Sequence, residues 1–277
     1  MRVSDAQHWR HALARAGTAV TLAVSDTTKG ETAAAGMTSD VTVRHLDLAD
    51  LASVRSFADA IEGPINLLVD NAGVMATPEQ RTVNGFEMQI GTNHLGHFAL
   101  TNLFLPRITD RVVVVSSDLH RNGRIDLDDL NWERRPYKAW DAYSQSKLAN
   151  LLFVLELQRR LTDAGSTVRA VAAHPDYAAT NLQGRTASPI SNFFAAVANR
   201  LVAQSDPLGA LPTLYAATAD IPGGTYIGPD GFRHMRGNPA VDTPASQALE
   251  AETARRLWEL SEQLTGVSWP LSSHTST

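Results

Sequence analysis

The chain has 277 residues, 43% of them hydrophobic, a formal net charge of −5 and no cysteine. These figures suit one large α/β domain with a full core and exclude disulfides and thiolate metal sites. Lys and Arg do not cluster, which speaks against a nucleic-acid surface. No apolar run approaches the ~20 residues that a membrane span needs. The first ten residues lack the apolar stretch of a secretory signal, and with no cysteine a cytoplasmic location is the expectation. The domain is expected to occupy 1–267, with a small polar tail over 268–277.

In chain order, a helix is expected over 5–16, stopped by Gly17. A strand at 19–24 follows, then a strand at 41–46, a helix at 51–61 and a strand at 65–69. A helix at 91–107 leads to a strand at 111–116. That strand holds Val112-Val113-Val114-Val115, apolar without alternation, as suits a strand buried on both faces of a parallel sheet. A helix at 141–162 ends before Gly165, a strand spans 167–173, and helices are expected at 208–217 and 244–265. Repeated β-α units joined in this way predict an α/β fold, a doubly wound parallel sheet of the Rossmann type. Ligands bind such sheets at the carboxyl ends of the strands, and the candidate chemistry falls there. Asp70-Asn71-Ala72-Gly73 follows the third strand, Ser116-Ser117 ends the fourth, and His174-Pro175 follows the fifth.

The sharpest local signal is Tyr143-Ser144-Gln145-Ser146-Lys147. A Tyr and a Lys four apart on a helix share one face. An ammonium beside a phenol favours the phenolate and lowers its pKa, so Tyr143 is a candidate general acid or base. Ser144-Gln145-Ser146-Lys147 also matches the Ser-x-x-Lys of penicillin-recognising acylases, but the companion Ser-Asp-Asn and Lys-Thr-Gly elements are absent. His94 and His97, three apart, have no evident third ligand, so packing or hydrogen bonding is expected of them rather than metal binding. The same holds for His120 and His174, and no metal is expected.

With Lys29-Gly30-Glu31, Leu46-Asp47-Leu48, Asp70-Asn71-Ala72-Gly73, Asn93-His94-Leu95-Gly96-His97-Phe98, Val115-Ser116-Ser117, Tyr143 to Asn150, His174-Pro175 and Thr180 in this order, the chain resembles the short-chain dehydrogenases/reductases, over residues 17 to about 265. The branch it is most similar to is the retinol-dehydrogenase and protochlorophyllide-reductase-like group. The resemblance implies a catalytic set. Asn93 would hold a water for proton relay. Ser117, chosen over Ser116 by analogy, would bond the substrate oxygen. Tyr143 would transfer the proton. Lys147 would lower the tyrosine pKa and bind the nicotinamide ribose. It implies NADP or NAD as cofactor, contacted by Ser25, Asp47, Leu48, Asn71, Ala72, Gly73, Tyr143, Lys147, Pro175 and Thr180. It also implies a small hydrophobic alcohol or carbonyl as substrate, and a homodimer built on the 91–107 and 141–162 helices, although some members are monomers. The apolar stretch at 188–204, with Phe193 and Phe194, matches the family's substrate-covering segment; packing is the plainer reading of such a stripe.

The sequence departs from that pattern at several points. The family's glycine-rich phosphate loop has no counterpart: its last two glycines align with Ser4 and Ala6, and the strand before it has no match, so the domain reads as N-terminally shortened. Ser25-Asp26 stands where an Arg often meets the adenosine 2′-phosphate. Pro175-Asp176 replaces Pro-Gly, and Asp70 replaces an Asn. Asp47 reads equally as an adenine contact and as a plain helix cap, as does Asp50 for the cap. Two further readings stay open beside the redox one: a cofactor-independent isomerase, dehydratase or cyclase using Tyr143, and a non-catalytic family member that has lost dinucleotide binding.

Overall fold

The structure, a computed structural model, describes residues 3–37, 40–175, 207–231 and 237–271. Thr180, Phe193, Phe194 and the 188–204 stretch lie outside the described residues.

The secondary structure alternates through most of its length: α1 (Val3–Arg15), β1 (Val20–Val24), α2 (Thr27–Ala34), β2 (Val41–His45), α3 (Leu51–Ala60) and β3 (Ile65–Asp70). A short α4 (Met88–Ile90) then runs through a π turn (Gly91–Leu95) into α5 (Gly96–Phe104). Next come β4 (Ile108–Val115), the long α6 (Ala139–Asp163), β5 (Arg169–Ala173), α7 (Leu211–Thr218), β6 (Tyr226–Pro229), β7 (Pro239–Val241) and α8 (Ala251–Thr265).

The local reasons are ordinary ones. In α3, Val54, Phe57 and Ala58 are the buried residues, at the i, i+3, i+4 spacing of one helix face. Asp50 caps that helix, its carboxylate accepting from the Ala52 amide at 2.9 Å. Gly266 ends α8 at φ 62°, a left-handed conformation that a side chain would strain.

Period-two alternation sorts the central strands between two cores. Val112 and Val114 of β4, with Ala170 and Ala172 of β5, pack against α3, α5, α6 and α8. Val113, Val171, Ala173 and Ile227 pack on the other face against Ala216 and Ala217 of α7. Val112, Val113 and Val114 are fully buried, each contributing roughly 1.5–3 kcal/mol. The first core is closed by an aromatic cluster. Trp258 stacks on Phe153 at 5.6 Å and meets Phe98 edge-on at 4.9 Å.

The sheet differs from the simplest expectation in two ways. Among the described residues the strands form a parallel pair, β1-β2, and a separate five-stranded sheet in the order β3-β4-β5-β6-β7. The last strand, β7, runs antiparallel to β6. The sequence reading also missed α2, β6 and β7. Thr27–Ala34 is polar and carries Gly30, and the two strands are too short for periodicity to mark them. The expected 91–107 helix is broken by its π turn, and the expected 244–265 helix begins only at Ala251, after a 3-10 turn at Ser246–Leu249. Ser4 and Ala6 lie inside α1. Trp269 and Leu271, within the expected tail, still pack against the core, and Trp269 meets Trp258 edge-on at 5.7 Å.

Candidate functional site

The carboxyl ends of β3, β4 and β5 carry the residues that the sequence singles out, because parallel pairing sets those ends side by side. Asp70 pairs with Val114, and Val115 with Ala173. The turn after β4 brings Ser117, and α6 lies across these ends with Tyr143 and Lys147 one turn apart. All three are buried, as is Asn93.

Lys147 donates from Nζ to the Val115 carbonyl at 3.0 Å and sits 5.8 Å from the centre of the Tyr143 ring. Burial lowers its pKa to about 8. Asn150, one turn further along α6, donates to the same Val115 carbonyl at 3.3 Å. Its place three residues after Lys147 on one helix face was the signal that could have found it.

The serine pair divides its labour. Ser116 donates to the Lys147 carbonyl at 2.8 Å and so holds β4 against α6. Ser117 caps the 3-10 turn Asp118–Asn122, its Oγ accepting from the Leu119 amide at 3.3 Å. An oxygen that accepts there keeps its hydroxyl hydrogen for another partner.

Asn93 sits in the π turn with both ends of its amide engaged. Oδ1 accepts from the Val74 amide at 2.8 Å, and Nδ2 donates to the Val74 carbonyl and to Ser146 Oγ, both at 2.9 Å. Its backbone carbonyl accepts from His97 Nδ1 at 3.0 Å. Burial lowers the His97 pKa to about 4 and the His94 pKa to about 3, so both rings are neutral. His94 pairs through Nε2 with Ser261 at 2.9 Å. Both histidines pack and bond, and among the described residues no cluster of three His, Cys, Asp or Glu could hold a metal.

Gly73 lies against this group. A Cβ there would be 2.8 Å from Asn93 Oδ1 and 3.8 Å from Lys147 Nζ, so Asn71-Ala72-Gly73 passes close to Asn93 only because position 73 has no side chain. Asp70 is fully buried, its Oδ2 accepting from Thr101 at 2.7 Å, and burial raises its pKa to about 7.

The residues at the ends of β1 and β2 belong to the separate two-stranded pair. Asp26, beside Ser25, caps α2 and pairs with Lys29 at 2.9 Å on the surface. Asp47 is not a helix cap: Asp50 takes that place, while Asp47 Oδ1 closes a turn by accepting from the Ala49 amide at 2.9 Å. Leu48 is buried, and a Cβ on Gly96 would meet its carbonyl at 2.5 Å.

Comparison with known proteins places this chain. Residues 7–190 match the family model for short chain dehydrogenase. Human retinol dehydrogenase 13 is 42% identical, covering 93% of this chain and 80% of its own length. Mouse retinol dehydrogenase 14 is 38% identical over 84% of this chain and 69% of its own. The crystal structure of an uncharacterised protein from Mycobacterium paratuberculosis is 52% identical, with a TM-score of 0.85 over 96% of this chain and 90% of that one.

Proposed function

Because the chain belongs to the short-chain dehydrogenase family, we propose that it is an oxidoreductase that uses a nicotinamide dinucleotide to interconvert a small hydrophobic alcohol and its carbonyl compound. The observation that carries this is the buried Lys147 beside the Tyr143 ring, with Asn93 and Gly73 close by and Ser117 two residues beyond the Val115 carbonyl on which the lysine is anchored.

The residues present fit the nicotinamide end of such a cofactor. Asn71, Ala72 and Gly73 would line it as a side-chain-free edge, Pro175 would bound it after β5, and Lys147 would reach the ribose. Ser25, Asp47 and Leu48 would serve the adenosine end. When bound, the cofactor would supply or accept the hydride, and this chain's residues would do the rest. Ser117 donates its free hydroxyl hydrogen to the substrate oxygen, with its Oγ oriented by the Leu119 amide. Tyr143 holds the proton that the same oxygen gains or loses. Two donors aimed at one oxygen stabilise the charge that develops there. Lys147, anchored on Val115, keeps a positive charge beside the phenol and favours its ionised form. Asn93 ties the loop at Val74 to Ser146 and so fixes the floor on which Lys147 rests.

A hydrophobic substrate fits the name of the retinol dehydrogenases that the chain resembles. The test has two parts. Calorimetric titration with NADH and with NADPH is expected to show binding of at least one. Tyr143→Phe is expected to lower turnover by ~10²–10⁴-fold, the usual worth of a proton-transfer group; an undiminished rate would remove Tyr143 from the role, and turnover without nucleotide would remove the redox reading.

A further inference from the structure

The hydroxyl of Ser117 is aimed by its backbone, and that backbone is held from a distant part of the chain. His120 is fully buried in the Asp118–Asn122 turn. Its Nδ1 lies 2.7 Å from the Ser117 carbonyl, and its Nε2 lies 3.1 Å from the Ala245 backbone nitrogen. A carbonyl only accepts and an amide N–H only donates. Nδ1 therefore carries the hydrogen and Nε2 the lone pair, which makes the ring neutral and fixes a single tautomer. Burial lowers the His120 pKa, in agreement with that neutral state.

The segment on the other side of the ring is firmly attached. Arg121 donates to the Thr243 carbonyl and Gln247 donates to the Arg121 carbonyl, both at 2.9 Å. Arg121 also bridges Asp118 at 2.6 Å and Asp242 at 3.6 Å. Tyr226 meets the imidazole edge-on at 5.6 Å. The tautomer cannot change without setting an N–H against the Ala245 N–H, and a flip of the ring would put carbon atoms opposite both partners.

We propose that His120 is a positioning residue for Ser117, a one-tautomer spacer that transmits the placement of the segment after β7 to the serine that bonds the substrate oxygen. The proposal rests on the reading of Ser117 given above. His120 itself touches no substrate.

The two ring nitrogens can be tested separately. Asn places its amide nitrogen near Nδ1, and Gln places its amide near Nε2. His120→Asn keeps the donor to Ser117, and His120→Gln keeps only the reach to Ala245. His120→Asn is expected to hold kcat within about threefold, and His120→Gln to lower kcat about tenfold with KM little changed, a fraction of the ~10²–10³ that losing a donor outright costs. A residue that only packs would lower the melting temperature of both variants alike and leave kcat per folded molecule unchanged. Should His120→Gln not fold, nitrogen NMR of the wild-type imidazole decides, with a hydrogen on Nδ1 and none on Nε2 as the expected result. Equal kcat in His120→Asn and His120→Gln, or a hydrogen on Nε2, overturns the proposal. Tyr143→Phe is measured alongside: if that variant keeps full rate, the functional reading has failed instead.

Discussion

The two ends of the candidate site are built differently. The chemical end stands on β4 and β5, whose central residues are almost wholly buried, and on α6, which is buried along most of its length. The β1-β2 end is a two-stranded pair in which Leu22 is the one fully buried strand residue and β2 has none. Proton transfer needs groups held to fractions of an ångström, and a buried scaffold with interlocked hydrogen bonds provides that. Recognition of an adenosine tolerates a looser support, since its contacts bind without taking part in the reaction. The contrast implies that loosening the packing of the first region should lower kcat and stability together, and that removing its buried charge should trade kcat against stability, whereas damage to the second should weaken nucleotide affinity and leave kcat alone.

Four substitutions would break or sharpen that contrast. Trp258→Ala empties the centre of the aromatic cluster and is expected to cost ~3–5 kcal/mol, read from urea denaturation. A loss near 1 kcal/mol would mean that the core collapses around the gap and that the first region is less rigid than its packing implies.

Lys147 gives the next largest effect, through pH. Burial sets its folded pKa at about 8, whereas in the unfolded chain a lysine keeps its proton to ~10.4. Across that window the unfolded state binds more protons, so stability rises with pH. Below it both states are protonated, and the folded protein carries the whole burial cost, on the order of 3 kcal/mol. Lys147→Met, which has no charge to bury, is therefore expected to be the more stable protein near pH 7. Its advantage should shrink from pH 8 to pH 10, and a constant difference in melting temperature would show that the ammonium is well solvated.

Gly73→Ala would drive a methyl group against the Asn93 amide. It is expected to cost about 1–3 kcal/mol and to weaken nucleotide binding in the same titration. A full-affinity variant would place the cofactor away from this loop.

The smallest effect belongs to the β1-β2 pair. Val43→Ala, half-buried between β2 and α2, is expected to cost about 1 kcal/mol. The dissociation constant for nucleotide should rise while kcat at saturation stays put; a fall in kcat would erase the distinction between the two ends.

Much of the site was legible without coordinates. The shared helix face of Tyr143 and Lys147 follows from their spacing, although their role followed only from the resemblance; the burial of Val112 to Val115 follows from unbroken hydrophobicity, and the strand-end positions of Asn71, Ser117 and Pro175 from the order of β-α units. Asp47 was legible only as one of two candidates, because two acids precede α3 within four positions and the sequence does not say which has its carboxylate at the helix end. Ser116 and Ser117 are alike in sequence. Their separation depends on which one faces α6 and which one begins the 3-10 turn.

What the sequence determined by itself is therefore whatever a local period or a short spacing encodes: the buried strand, the shared helix face and the order of elements that makes the sheet parallel. Tertiary structure decided the rest. It divided the strands into a pair and a five-stranded sheet, added β6 and the antiparallel β7, and occupied the Asn93 amide with Val74. It also brought Ala245 to His120. These outcomes depend on which backbone groups meet across many intervening residues, and hydrogen-bond partners at that separation are selected by packing, for which no local pattern in the chain carries the signal.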